Sequence, residues 1–374
     1  MTEGTIVEHF STLEDPRTHT KKNRHKLIDI LVIAICGMIC EADEWVGIED
    51  FGKAKEEWLS TFLELPHGIP SHDTFGRVFS LIRPQRFQEC FVSWIQSVAK
   101  LSGGEIVPID GKTLRRSYDS KSGKAAIHMV SARASRSRLV LGQVKTEEKS
   151  NEITAIPELL RLLDLRGCIV TTDAMGCQKD IARQIIDQGA DYVLALKDNQ
   201  PSLLKAVERT FAEAKEEELR GPGFDFFETE ENGHGRHEVR SHFTCSLLDQ
   251  VPQTEEWEKL RTVGLVVSEV TRKEEISTEL RYYIGSIENN AKIFANAVRS
   301  HWGIENSCHW VLDVAFREDE SRVRKDHGPE NLALLRHIAL NLVGQEMTAK
   351  VGVKNKRLKA GWDNNYLAKL LFGE

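Results

Sequence analysis

Along the first hundred residues, apolar positions fall at helical intervals with polar residues between them. Residues 26–40 are an almost unbroken apolar run around one acid, Asp29. Residues 49–63 set Phe51, Trp58, Leu59 and Phe62 among charged side chains, and 71–82 place Phe75, Val78, Phe79 and Ile82 three and four apart. Ser71 stands where an N-cap is wanted, and Pro84 precedes a further helix over 86–101. The breaker Pro66-His67-Gly68-Ile69-Pro70 separates the second helix from the third. Two helices joined by such a turn fit a DNA-reading helix-turn-helix, and they fit an ordinary bundle equally well.

The pattern changes after Gly103-Gly104. Residues 105–110, 126–132 and 138–145 read as strands, 153–163 as an amphipathic helix, and 168–172 as a buried strand running into Asp173. A helix over 178–188 and a strand over 191–196 follow. This order predicts an α/β fold with a mixed sheet flanked by helices. A charged helix over 199–218 leads to Gly221-Pro222-Gly223, then strands over 236–244, 262–270 and 280–287, and helices over 291–312 and 329–344. The expected organisation is a helical region (1–102), the first part of an α/β core (103–220), a strand-rich insertion (221–288), closing helices (289–347) and a basic tail (348–374).

At about 100–200 residues per domain, 374 residues suggest two or three domains. Seven scattered cysteines with no Cys-x-x-Cys pair argue against a disulfide scaffold or structural zinc and for a reducing cytosol. The opening residues lack signal-peptide order. The strongest apolar stretch, 27–40, falls short of the roughly 18 residues that span a bilayer, so no membrane role is expected. The net charge of −7 alone argues against a polyanionic partner, but its distribution reverses the argument. Residues 17–26 carry five Lys/Arg and no acid, 110–149 carry ten against four acids, and 350–359 carry five and no acid, whereas 204–261 hold fourteen acids against eight bases. Basic patches on an acidic chain suit a polyanion held at one face.

Three carboxylates stand out. Asp110 and Asp173 each follow a predicted strand, and strand ends in one sheet can bring distant carboxylates together as a hard divalent cation requires. Each also has a structural reading: Asp110-Gly111 is a turn dipeptide, and Asp173 suits a helix cap. Glu305 lies with His301 and His309 in one helical stripe. The stripe lacks His-Glu-x-x-His spacing, so a zinc site is not expected, and a polar stripe facing water explains it as well.

Four ordered runs carry a resemblance: Pro108-Ile109-Asp110-Gly111-Lys112-Thr113-Leu114-Arg115, Thr171-Thr172-Asp173-Ala174-Met175, Ala195-Leu196-Lys197-Asp198-Asn199-Gln200-Pro201 and His301-Trp302-Gly303-Ile304-Glu305-Asn306. Together they resemble the DDE-type insertion-sequence transposases, most closely the H-repeat-associated group. The likeness extends to His9–Arg17 at one end and Leu358–Asp363 at the other. It implies a ribonuclease-H-like catalytic core with the triad Asp110, Asp173 and Glu305 holding two magnesium or manganese ions. It also implies double-stranded DNA as partner (element ends and target), a homo-oligomer when DNA-bound, and a cytoplasmic, nucleoid-associated protein. Related transposases surround the glutamate with a tyrosine, an arginine and a lysine; here those positions are Val298, His301 and Leu312, so His301 is a candidate phosphate contact and Asp313 an alternative third carboxylate.

Lys112, Arg115 and Arg116 are candidates for neutralising phosphates, and Lys197, Asn199 and Gln200 for orienting DNA. His234, Arg236 and Arg240 lie in another family-like segment that reads equally as a hairpin. Trp257, Trp302 and Trp310 have the chemistry to stack on an unpaired base, although burial in the core is the expectation for each. The activity expected is metal-dependent DNA cleavage and strand transfer. The alternatives are a nuclease without strand transfer and a silent DNA-binding remnant.

Overall fold

The computed structural model describes residues 6–373 apart from 19–22, 100, 102, 119–122, 124, 147–151, 215–218, 220, 234, 250 and 274. Six helices precede the first strand among the described residues: α1 (Ile6–Ser11), α2 (Leu27–Ile39), α3 (Trp45–Ala54), α4 (Glu56–Leu59), α5 (His72–Leu81) and α6 (Pro84–Val98). The apolar run became α2, in which every residue but Ile28 is buried, so this helix is enclosed on all sides. Its one acid has a partner, since Asp29 accepts a hydrogen bond from the Leu65 amide at 3.2 Å.

What encloses α2 comes partly from the far end of the chain. Helix α12 (Gly328–Gln345) packs against α2, α5 and α6. From α12, Asn331 donates from Nδ2 to the carbonyls of Phe79 and Ile82, at 2.7 and 2.9 Å. The amino-terminal helices therefore share a core with the rest of the molecule.

Among the described residues, nine strands form one sheet: β1 (Ile106–Thr113), β2 (His128–Arg133), β3 (Val140–Lys145), β4 (Ile169–Thr172), β5 (Asp191–Leu196), β6 (Phe224–Gly233), β7 (Arg236–Cys245), β8 (Thr262–Arg272) and β9 (Glu275–Gly285). Their order is β3-β2-β1-β4-β5-β9-β8-β7-β6. β1, β4 and β5 run parallel, with α7 (Glu152–Leu162) and α8 (Lys179–Asp187) in the connections between them. β2 and β3 are antiparallel to their neighbours, and β9 to β6 form an antiparallel meander joined to β5. The strand-rich segment thus continues the sheet. Helix α9 (Pro201–Glu213) packs on β8 and β9.

The predicted helix over 291–312 is interrupted. Helix α10 (Ala291–Ile304) passes into one wide π-turn (Glu305–His309) and resumes as α11 (Trp310–Phe316). Residues 348–374 form two helices, α13 (Val353–Trp362) and α14 (Asn364–Phe372). Arg357 of this basic stretch is fully buried, donating to the Met38 carbonyl at 2.7 Å and to Asp43 Oδ1 at 2.5 Å. No helix among the described residues is long and apolar enough to cross a membrane.

Candidate active site

The parallel pairing of β1 with β4 brings the two aspartates together. The last registered pair is Ile109 with Thr172, so Asp110 and Asp173 occupy the next position on neighbouring strands. Asp110 is not at a strand end, as the sequence suggested: β1 continues to Thr113, paired only with β2. Asp173 stands just past β4, and its Oδ1 accepts from the amides of Met175 and Gly176 at 3.0 and 3.3 Å. Both aspartates line a cleft of about 550 Å³, shared with Lys197, His301, Trp302 and Glu305.

Helix α10 delivers the third carboxylate. It is capped by Asn290, whose Oδ1 accepts from the Ile293 amide at 3.0 Å. It approaches the sheet closely at Gly264, where a Cβ would lie 2.5 Å from Phe294 Cζ. Its last turn reaches the cleft, and the π-turn then brings Glu305 and His309 to one point. His309 Nδ1 lies 3.1 Å from Glu305 Oε2 and 3.5 Å from Asp110 Oδ2. Ligand-capable atoms of Asp110, Glu305 and His309 all fall within 4.8 Å of one another. Single π-turns inside α-helices occur often at functional sites.

The electrostatics of the cleft are those of acids without enough cations. Burial pushes the Asp110 carboxyl up to about 6; His309 opposes the shift, while Glu152 and Asp173 add to it. Asp173 is also raised, first by burial and then by Glu152. Among the described residues, neither aspartate nor Glu305 forms an ion pair with a lysine or arginine. His309 is buried, and its Nε2 has no partner among the described residues.

Glu152, in the first turn of α7, is a further acid close to the site; its Oε1 lies 2.9 Å from His128 Nε2. Both side chains press on Gly111, where a Cβ would collide with them. The glycine after Asp110 therefore serves close approach rather than a turn.

The remaining predicted residues divide by partner. His301 Nδ1 lies 3.1 Å from Thr171 Oγ1, and burial pulls its pKa to about 4. It therefore places a neutral imidazole, not a cation, at the family arginine's position. Lys112 is paired, its Nζ 2.5 Å from Asp313 Oδ1 and 2.7 Å from Glu318 Oε2. This contact also holds Asp313 away from the Asp110–Glu305–His309 group. Arg115 is exposed and lies 3.2 Å from Asp319; Arg116 is exposed.

Lys197 is exposed on the cleft. Asn199 and Gln200 face inward: Asn199 Nδ2 donates to the Ala174 carbonyl at 2.7 Å, and Gln200 Nε2 to the Cys177 carbonyl at 3.1 Å. They tie the loop after Asp173 to the end of β5. Arg240 pairs with Glu231 and Glu238, and Arg236 with Glu238. His234 lies outside the described residues. Trp257 is buried as expected, but Trp302 and Trp310 are 47% and 58% exposed.

Sequence reasoning placed His309 in a polar stripe with Glu305 but set aside a metal role for it, and it did not weigh Glu152 as a site residue. The available signal for His309 was its i+4 spacing from Glu305. For Glu152 it was an acid opening the helix that packs beside β2.

Comparison with known proteins gives this arrangement a family. Residues 101–342 match the model of the transposase DDE domain, and residues 7–95 match that of the DDE_Tnp_1-associated region. The "H repeat-associated putative transposase YhhI" of Escherichia coli K12 is 44% identical over 98% of both chains. "Putative transposase YncI" of Escherichia coli O157:H7 is 45% identical over 98% of this chain and 94% of its own. A solved piggyBac transposase synaptic complex with hairpin DNA aligns over 99% of this chain and 77% of its own, at 11% identity and a TM-score of 0.40. The chain belongs to the DDE-domain transposase family, in its H-repeat-associated group.

Proposed function

We propose that this protein cuts DNA at the ends of an insertion element and joins the freed 3′ ends to a new site, with Asp110, Asp173 and Glu305 as the catalytic carboxylates. The observation that carries the proposal is the convergence of these acids in one cleft with no lysine or arginine among the described residues ion-paired to any of them. Asp110 and Glu305, with ligand-capable atoms within 4.8 Å of each other and of His309 and with Asp110 raised to about 6, suit a divalent cation, and Asp173 lines the same cleft. The strand order β3-β2-β1-β4-β5, with β1, β4 and β5 parallel, supports a ribonuclease-H-like core, and Asp110 and Asp173 sit at adjacent positions on its central strands.

Asp110, Asp173 and Glu305 would hold the metal, with His309 beside them orienting Asp110 and Glu305 through Nδ1. When bound there, magnesium or manganese, as two ions, supplies an activated water or 3′-hydroxyl and neutralises charge on the leaving oxygen. His301, kept neutral by burial, orients through Thr171 without adding charge. Asn199 and Gln200 hold the Asp173 loop in place. Lys197, exposed and without an ion-pair partner among the described residues, is a cation free to meet phosphate along the cleft, whereas exposed Arg115 would have to exchange Asp319 for it. Joining two ends implies a DNA-bound oligomer.

The test uses purified protein, labelled DNA carrying the ends that flank its own coding region, and magnesium or manganese. Cutting and joining by the wild type, lost in Asp110→Asn and Glu305→Gln, is the expected result. Cutting without joining would leave a nuclease, and binding without cutting a silent remnant. Cutting by Asp110→Asn would remove that residue from the triad.

A further inference from the structure

Four arginines among the described residues are buried, and three of them meet a carboxylate: Arg17 meets Asp15, Arg336 meets Glu318 and Arg357 meets Asp43. The fourth, Arg133 at the end of β2, is 7% exposed and meets none. Its Nη1 donates to Ser307 Oγ at 2.5 Å and its Nη2 to the Arg138 carbonyl at 3.5 Å, while Nε has no partner among the described residues. Burial pulls its pKa down, with nearby Arg138 lowering it further. A desolvated guanidinium without a counter-charge is costly, and an anionic ligand relieves that cost.

Arg133 lines a groove of about 840 Å³ distinct from the acidic cleft. The same helical segment serves both: His301, Ile304 and Glu305 line the cleft, whereas Gly303, Asn306, Ser307 and Trp310 line the groove. Trp302 lines both, so the two cavities meet at its ring. Arg138 and Lys354 add exposed cations on the groove walls, and among the described residues no aspartate or glutamate lines it. Arg299, also on the wall, is paired with Glu231. Exposed Trp310 supplies an aromatic surface.

We propose that this groove binds the phosphate backbone of a DNA strand passing Trp302 from the catalytic cleft, with Arg133 as its buried phosphate contact. Arg138 and Lys354 flank that position, and Trp310 offers a face to an unpaired base. The proposal rests on the DNA-processing reading above and adds a second site to it. Because Arg133 also holds Ser307, two residues beyond Glu305, a strand seated here presses on the turn that carries the catalytic glutamate.

Fluorescence anisotropy without divalent metal tests it, using two duplex probes: the ends flanking the coding region, and an unrelated sequence. The double variant Arg138→Gln/Lys354→Gln alters exposed side chains, and its melting temperature should match the wild type. Its affinity should fall about tenfold at low salt, and the slope of log affinity against log salt should shrink by about 1.8, near 0.9 for each phosphate that is no longer neutralised. Arg133→Gln should act in the same direction, and Trp310→Ala should weaken a probe with a single-stranded extension more than a blunt one. Weaker binding of both probes assigns the groove to any strand, target included; weaker binding of the end probe alone assigns it to the element end. Unchanged affinity and slope in the double variant, with the wild type binding, overturn the groove and leave the catalytic reading standing. A wild type that binds neither probe overturns both.

Discussion

Two clusters of charge lie two residues apart on the same face of β1, and they are built on opposite principles. At Asp110 the neighbours are Glu305, Asp173 and a buried histidine, and burial pushes the carboxyl up to about 6. At Lys112 the neighbours are Asp313 and Glu318, with Arg336 3.7 Å from Glu318 on the far side. Here Glu318 stays below the usual carboxylate range even though burial opposes it, because Lys112 and Arg336 compensate it. A closed set of charges holds α11 and α12 to the sheet, whereas an open set awaits something from outside. The difference separates scaffold from site more sharply than residue type does, since acids and bases occur in both clusters.

The largest contrast should come from neutralising one carboxylate in each cluster. Asp110→Asn or Glu305→Gln should lower metal-dependent cleavage on the order of 10²–10³-fold or more, the scale on which single catalytic charges act. Asp313→Asn should leave most of the cleavage, because Asp313 is committed to Lys112. Cleavage rates on end DNA decide this. A larger loss in Asp313→Asn than in Glu305→Gln would exchange their roles.

Stability should show the reverse order. Lys112→Met strands buried Glu318 and should cost about 3–5 kcal/mol in urea unfolding, as broken buried pairs do. Asp110→Asn removes a desolvated charge and should leave stability equal or higher without metal. A wild-type midpoint in Lys112→Met would mean that Arg336 alone satisfies Glu318.

This contrast was not legible in the sequence, and the reason is physical. Strand β5 was read to the residue, and α2 to within one or two, because burial on both faces or all round leaves an apolar run that depends on no partner. Strand β6 was missed: it is an edge strand, and its acids Glu228, Glu230 and Glu231 break the apolar signal. The π-turn was invisible because a 3.6-residue periodicity cannot announce one wider turn. The candidate acids were legible as family motifs, but Lys112 was taken for a phosphate contact. Its true partners lie more than 200 residues along the chain, beyond the reach of any local pattern.

The two clusters should also bend the stability–pH curve in opposite directions. Asp110 binds its proton more tightly when folded, so its contribution falls as pH rises from its ordinary 3.8 through about 6. Glu318 is depressed, so its contribution is present at neutral pH and lost as pH falls below the ordinary 4.5. In metal-free protein, the advantage of Asp110→Asn over wild type should therefore grow between pH 4 and pH 7, by up to about 3 kcal/mol. Manganese or magnesium should raise the wild-type melting temperature more than that of Asp110→Asn. A pH-independent difference would show that His309 already balances Asp110.

The smallest effect separates positioning from contact at the cleft's edge. Asn199 is exposed as a residue, yet its amide is spent on the Ala174 carbonyl, in the loop that begins with Asp173. Asn199→Ala should cost about 1 kcal/mol, the worth of an ordinary hydrogen bond, and weaken divalent-metal affinity a few-fold while leaving metal-free DNA affinity unchanged. Lys197→Gln, two residues earlier and without an ion-pair partner among the described residues, should do the opposite: unchanged stability, and a salt slope of DNA binding smaller by about 0.9. If both variants lost DNA affinity alone, the whole run after β5 would be a DNA contact, and the Asp173 loop would owe its position to its own turn.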